Sequence, residues 1–142
     1  MIKKLALAAA LAIASVAALA DVPSSDARQH FATIASGDVE QLMRGYADNA
    51  QFNWVGGPLD GTYMGTDAIR GAWEKFTKAQ GQMRVSVDQV EEAANPKGAS
   101  VTANVVFEGK QPIRVRYMLT YRDARIVSET WQIDAKPAKT GY

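Results

Sequence analysis

The spacing of the apolar residues changes once along this chain, and that change limits what the chain can fold into. Before Gly81 most apolar residues recur every three or four positions, which is typical of amphipathic helices. After Gly81 they alternate with polar residues, as in strands that bury one face. Helices followed by a long run of strands indicate an α+β fold in which a sheet packs on helices.

The first 20 of the 142 residues have the pattern of a secretory signal peptide. Lys3 and Lys4 precede an apolar run over residues 5–14, and Ala18-Leu19-Ala20 is a small-residue cleavage signal before Asp21. An uncleaved membrane anchor would need a longer apolar run. We therefore predict cleavage between Ala20 and Asp21, a periplasmic or secreted protein, and no stable membrane anchoring afterwards.

The remaining chain has the length of one domain. We assign residues 21–25 to a linker, because Pro23, Ser24 and Ser25 are poor residues for a helix interior. Residues 26–134 form the domain. We expect residues 135–142, which are rich in Lys, Pro and Gly, to be a flexible tail.

Composition excludes several classes of protein. Without Lys3 and Lys4, 14 basic residues stand against 15 acidic ones, and this balance argues against a nucleic-acid partner. The chain has no cysteine, so it contains neither a disulfide nor a lipid-modified cysteine. One histidine and no cysteine argue against a structural zinc site, and no phosphate-binding loop is present. We predict no cofactor.

Three helices are predicted before Gly81. The first begins near Ala27 and ends at Gly37, and Asp38 caps the second, whose apolar stripe runs from Val39 to Tyr46. Thr66 or Asp67 caps the third. Its apolar stripe comprises Ile69, Ala72, Trp73 and Phe76.

Five strands are predicted, one of them between the second and third helices. This strand covers residues 51–55, follows a turn over residues 47–50 and places Phe52 and Trp54 on one face. A brief hairpin over residues 59–64 comes next. The other four strands form an antiparallel meander, with a bulge near Val90 and a tight turn at Asp123-Ala124. They cover residues 83–93, 100–108, 112–122 and 125–134.

Three short stretches of sequence resemble those of a known superfamily, and the similarity extends over residues 27–133. They are Gly37-Asp38-Val39-Glu40, Tyr46-Ala47-Asp48-Asn49-Ala50 and Gly65-Thr66-Asp67-Ala68-Ile69-Arg70. The chain resembles the nuclear transport factor 2-like superfamily, and within it the SnoaL-like and ketosteroid isomerase-like branches. The resemblance implies a cone in which three N-terminal helices pack on a curved antiparallel sheet, with a cavity at the open end.

The same resemblance identifies positions that carry catalysis in the isomerase branch. His30 stands where that branch has a tyrosine, and Trp54 stands where it has the general-base aspartate. Tyr117 is the nearest equivalent of its second acid. Because the general base is absent, isomerisation by that branch's mechanism is not expected.

Each candidate residue also has a structural interpretation. His30, the only histidine, is either a proton donor or acceptor facing the cavity or a half-buried helix residue bonded to a neighbour, and we favour the second because no partner is evident. The candidate ligand-binding residues are Trp54, Phe52, Tyr117 and Tyr46. We assign Trp73 to the core and Asp48 and Asp60 to turns, and we expect Arg114 and Arg116 on an outward face.

Three functions remain open. The first is binding of a small apolar or aromatic molecule in the cavity. The second is an acid–base enzyme of isomerase, cyclase or dehydratase type that uses His30. The third is a dimerisation or interaction module with a filled core. We favour the first, and we predict a homodimer formed through the outer face of the meander.

Overall fold

The computed structural model describes residues 23–135, and this part of the chain forms three helices and one six-stranded sheet. The predicted signal peptide, residues 21 and 22 of the predicted linker, and residues 136–142 of the predicted tail lie outside the described residues. None of the helices between residues 23 and 135 is long and apolar enough to cross a membrane.

The helices confirm most of the sequence prediction. α1 covers residues 23–36, α2 is Val39–Met43 and α3 is Thr66–Gln80. The prediction that residues 23–25 belong to a linker is wrong, because they already lie in α1. Asp38 caps α2 as predicted, and its side chain accepts a hydrogen bond from the Gln41 backbone N–H. The cap of α3 is Gly65, not Thr66 or Asp67.

The strands form one curved sheet in the order β2-β1-β6-β5-β4-β3. The strand bounds are β1 Tyr46–Val55, β2 Gly61–Met64, β3 Arg84–Asn95, β4 Gly98–Glu108, β5 Pro112–Arg122 and β6 Arg125–Ile133. The last four form the predicted antiparallel meander. The pair β1–β6 is parallel, so the sheet is mixed. This pair joins the first strand of the sheet to the last.

β1 begins earlier than predicted. Tyr46 was predicted on the second helix, and residues 47–50 were predicted as a turn. Instead α2 has only five residues, and Tyr46 pairs with Ile126 of β6 as the first residue of β1. The pairing with β6 shifts in register between Tyr46 and Gln51. Tertiary pairing has therefore outweighed the local turn preference of Asp48 and Asn49.

Two irregularities that the sequence predicts are confirmed. The pairing of β3 with β4 shifts between Asp88 and Glu91, where Gln89 has a φ of 51°, and this is the bulge predicted near Val90. Asp123 and Ala124 both have positive φ, of 51° and 61°, in the tight turn between β5 and β6. Bulges bend a strand and increase its twist, which favours the curvature of the sheet over the helices.

The core lies between the concave face of the sheet and α3 with α1. One row of side chains across the sheet is Phe52, Glu129, Leu119 and Val101, and the next is Trp54, Trp131, Tyr117 and Ala103. The predicted stripe of α3 is buried against this face, and Trp73 is 1 % exposed. Every member of the two rows is buried, including the one carboxylate among them, Glu129.

Candidate functional site: a buried carboxylate between two pockets

Glu129 lies at the centre of the cone on the concave face of β6. It shares this face with Trp131, two residues further along the strand, because side chains of a strand alternate between faces. Its cross-strand neighbours are Phe52 on β1 and Leu119 on β5. The residue is 0 % exposed, so water cannot solvate its carboxylate.

Three side chains from three different elements take the place of that water. His30 on α1 has its Nε2 atom 2.6 Å from Glu129 Oε2. The hydroxyl groups of Tyr46 on β1 and Tyr117 on β5 donate to Oε1 and Oε2 respectively. Trp73 on α3 donates its indole N–H to the Tyr46 oxygen over 2.8 Å. We call Glu129 and these four side chains the buried network.

The buried network keeps its two tyrosines protonated. Burial raises the pKa of Tyr46 and of Tyr117 well above 10.0, and the negative charge of Glu129 raises both further. The hydrogen bond from Trp73 opposes this effect at Tyr46, because it favours the phenolate. Both hydroxyls therefore act as donors to Glu129, and the hydrogen bond between His30 Nε2 and Glu129 Oε2 is the third that this carboxyl group makes.

His30 differs from the half-buried surface residue that the sequence favoured. It is only 7 % exposed, and its partner is Glu129, which lies 99 residues away in the chain. The partner that was not evident from the sequence is thus a buried carboxylate on the last strand. A signal for the partner is present in the sequence, since Glu129 has the same strand parity as Trp131 and must face the core with it.

His30 also lines a small pocket on the outside of the cone, which we call the side pocket. It has a volume of about 260 Å³ and lies between α1, α2 and the β5–β6 turn. Besides His30, its polar wall residues include Asp26, Arg44 and Tyr121. Burial raises the pKa of Asp26, and the hydroxyl of Tyr121 is buried without a hydrogen-bond partner among the described residues. The hydrogen bond of His30 to Glu129 uses its Nε2 atom.

Above the network, aromatic rings fill the middle of the cone. Trp54 stacks on Trp131 with ring centroids 4.5 Å apart, and Trp131 stacks on Phe107 at 5.1 Å. Trp73 lies 5.3 Å from Trp54. The inner part of the cavity that the fold implies is therefore occupied by the protein's own side chains.

A second and larger pocket remains at the wide end of the cone, and we call it the mouth pocket. Its volume is about 540 Å³, within the range of small-molecule sites. Trp54 and Trp131 form its floor. The main apolar wall residues beside them are Leu59, Phe76, Ile113 and Ile133.

The loop from Gly56 to Asp60 closes one side of the mouth pocket. Gly56 has a φ of 98°, and a Cβ atom there would lie 3.1 Å from Ile133, so a larger residue would be strained and crowded. Asp60 accepts a hydrogen bond from the Gly56 N–H over 2.7 Å, which confirms its assignment to a turn. The wall is thus formed by backbone in a defined conformation.

The four predicted ligand-binding residues separate into two groups. Trp54 lines the mouth pocket. Phe52, Tyr46 and Tyr117 do not belong to its wall: Phe52 packs within the aromatic core, and the two tyrosines bind Glu129. Alternation along the strands shows that these residues face inward. It does not show which part of the cone is filled by side chains and which part is open.

The remaining candidates lie outside both pockets. Asp48 is exposed on β1 and does not cap a turn, so that prediction is wrong. Arg114 and Arg116 are exposed on the outer face of β5 as predicted, and Arg116 donates to Asn104 over 2.8 Å. Between residues 23 and 135, no group of three or more His, Asp or Glu side chains could hold a metal ion.

Comparison with known proteins decides the family. The model of the SnoaL-like domain matches residues 27–129, which is most of the chain. The chain belongs to the SnoaL-like domain family. None of the curated proteins has a significantly similar sequence.

Solved structures support the fold of this SnoaL-like protein. A protein with a cystatin-like fold from Caulobacter vibrioides superposes with a TM-score of 0.68 at 15 % identity, covering 84 % of this chain and 92 % of its own. A nuclear transport factor 2-like protein from Pseudomonas putida KT2440 gives 0.67 at 18 %, covering 82 % and 90 %. A Bacillus subtilis protein thought to be an isomerase gives 0.63 at 17 %, covering 80 % and 87 %. At these identities the likeness shows the nuclear transport factor 2-like fold alone.

Proposed function

We propose that this SnoaL-like protein binds a small apolar or aromatic molecule in the mouth pocket. The observation that carries the proposal is a pocket of about 540 Å³ whose apolar walls end on the indole rings of Trp54 and Trp131. Sites for small molecules are commonly concave, largely preformed and lined by apolar and aromatic side chains. A ligand with an aromatic ring could stack on Trp54 without moving the core.

Fluorescence titration with naphthol, a neutral aromatic probe, tests this proposal. We expect naphthol to quench the tryptophan emission of the wild type, and we expect Trp54→Ala to weaken binding by at least about tenfold. The matched control is Val55→Ala, because Val55 is the next residue of β1 and is 39 % exposed on the opposite face. His30→Ala should bind naphthol as the wild type does.

A variant that blocks the mouth pocket tests the proposed binding even if Trp54→Ala folds poorly. Ala79 on α3 lines the mouth pocket and is exposed, so Ala79→Trp would fill the pocket from its rim without changing the core. Loss of naphthol binding in Ala79→Trp supports the proposal. Undiminished binding in this variant contradicts it, because the probe would then be bound elsewhere.

Acid–base catalysis in the side pocket is a second candidate, favoured by the contact between His30 and Glu129. A carboxylate bonded to one imidazole nitrogen fixes the tautomer and stabilises the imidazolium that forms when the other nitrogen takes a proton. His30 would then accept a proton through Nδ1 from a substrate in the side pocket. Tyr121, whose hydroxyl has no partner among residues 23–135, would donate a hydrogen bond to that substrate.

A nitrobenzisoxazole tests this second candidate, because its ring opens with a change in absorbance when a base removes one C–H proton. If His30 is a general base, His30→Ala should lower the rate of ring opening by about 10²–10⁴-fold. A rate that is equal in wild type and His30→Ala contradicts the candidate. In that case the buried network serves the structure of the cone.

A further inference from the structure

The rim of the mouth pocket carries positive charge. Lys75 on α3 and Lys110 in the β4–β5 turn both line the pocket, and no Asp or Glu belongs to the described part of its wall. The nearest acidic side chain in the wall's own loop is Asp60, and it is already bonded to the Gly56 N–H. The pocket therefore combines an apolar interior with a cationic edge.

Neither lysine has a counter-ion within the described residues. The ion pairs between residues 23 and 135 join Arg70 to Glu40, Arg84 to Glu108 and His30 to Glu129, with the last of these inside the core. None includes Lys75 or Lys110. Among the carboxylates of residues 23–135, none lies within 4.0 Å of these two cations, whereas two surface arginines elsewhere are paired.

Polarity also changes with depth in the pocket. Trp131 at the floor is 0 % exposed and Trp54 is 4 % exposed, whereas Lys75 and Lys110 are exposed to solvent. An apolar body can lie at the floor without leaving polar groups of its own unpaired. A charged group on the same molecule can stay at the rim, where it keeps part of its hydration.

We propose that the ligand of the mouth pocket is an amphipathic anion, with an aromatic or aliphatic body on Trp54 and a carboxylate or similar anionic group held between Lys75 and Lys110. This inference rests on the proposed binding function and narrows its ligand class. It also gives the ligand an orientation, since the anionic end must remain outermost. A free inorganic anion lacks the apolar body and gains little from this site.

Exposed lysines contribute modestly to the affinity for an anion, and this sets the size of the expected changes in affinity. A solvated ion pair contributes up to about 1 kcal/mol, which is about a fivefold change in affinity for each lysine. With two lysines, naphthoate should therefore bind up to about 25-fold more tightly than naphthamide, which has nearly the same shape and no charge. The difference should shrink when the salt concentration is raised, because salt screens exposed charges.

The experiment compares naphthoate and naphthamide by fluorescence titration in four proteins. These are the wild type, the double variant Lys75→Gln/Lys110→Gln, the control Lys78→Gln and Trp54→Ala. Lys78 is exposed on α3 but does not line the pocket. The preference for naphthoate should vanish in the double variant, persist in the control, and both probes should bind weakly to Trp54→Ala.

Three results would overturn the inference, and they differ in what they say about the proposed function. If both probes bind through Trp54 with equal affinity in the wild type, the pocket binds apolar molecules but not anions in particular. If neither probe binds the wild type, both the proposed binding function and this inference are contradicted. Acetate and phosphate should not compete with naphthoate, and competition by either would show a site for simple anions instead.

Discussion

A fully buried carboxylate such as that of Glu129 persists in a protein only when hydrogen-bond donors replace the water it has lost. Tyr46 and Tyr117 supply two such donors, and His30 makes a third hydrogen bond with the carboxyl group; each of the three comes from a different element. The arrangement depends most on Glu129, because its removal leaves both tyrosine hydroxyls buried without their acceptor.

Replacement of Glu129 should therefore destabilise the fold strongly. We expect Glu129→Leu to lower the free energy of unfolding by about 3–5 kcal/mol, because three buried polar side chains lose their hydrogen bond to it. Urea denaturation measures the change. The exposed Glu91→Gln is the control and should remain within about 0.5 kcal/mol of the wild type. A loss below about 1 kcal/mol for Glu129→Leu would show that the buried network is not formed.

The buried tyrosines predict how stability depends on alkaline pH. The pKa of Tyr117 is raised on folding by burial and then by the charge of Glu129, so the native state retains a proton that the unfolded chain releases above about pH 10. This contribution to stability is fully present below that pH and is lost as the pH rises further. We expect the free energy of unfolding to fall less steeply in Tyr117→Phe than in the wild type between about pH 9 and pH 11. Equal slopes would contradict the raised pKa.

At the scale of elements, α3 connects the buried network to the aromatic core. Trp73 donates to Tyr46 on one side and packs 5.2 Å from Phe52 on the other. Its helix is placed by an apolar stripe that the sequence shows clearly. Its hydrogen bond to Tyr46 depends on β1 beginning at Tyr46, which the sequence does not show.

Truncation of Trp73 should test this packing. We expect Trp73→Ala to lower the free energy of unfolding by about 3–5 kcal/mol, because the cavity cannot collapse between α3 and the sheet. The control is Lys78→Ala on the exposed face of the same helix. Denaturant titration measures both variants, and a loss below about 1 kcal/mol for Trp73→Ala would mean that α3 does not pack against the sheet.

The elements whose patterns are regular were predictable from the sequence, and those set by long-range pairing were not. The meander, the bulge near Val90 and the stripe of α3 follow from local periodicity. The start of β1 depends on pairing with β6, whose residues lie about 80 positions later in the chain. The contact of His30 with Glu129 was likewise not predictable from local periodicity, because it joins the first helix to the last strand.

At the scale of the whole molecule, the cone has two different pockets. The mouth pocket is larger and apolar, whereas the side pocket is smaller and lined by polar groups. The buried network and the aromatic rings fill the space between them. Sequence reasoning expected one cavity, because it could identify inward-facing residues but not how completely their side chains fill the cone.

Export and dimerisation stay predictions at this scale. If the segment before Asp21 is a cleaved signal peptide, the mature protein begins with Asp-Val-Pro and is recovered outside the cytoplasm. N-terminal sequencing of the exported material measures this, and a protein that still begins at Met1 would contradict it. For a homodimer we propose the outer face of the meander, where Met118 is 44 % exposed, as the interface.

A crystal structure of the protein soaked with naphthol shows directly whether the mouth pocket is a ligand site. We expect density for the naphthol ring against Trp54, between Phe76 and Ile113, with the buried network unchanged. Density for naphthol in the side pocket, or a mouth pocket that stays empty while naphthol binds in solution, would show that the mouth pocket is not its site.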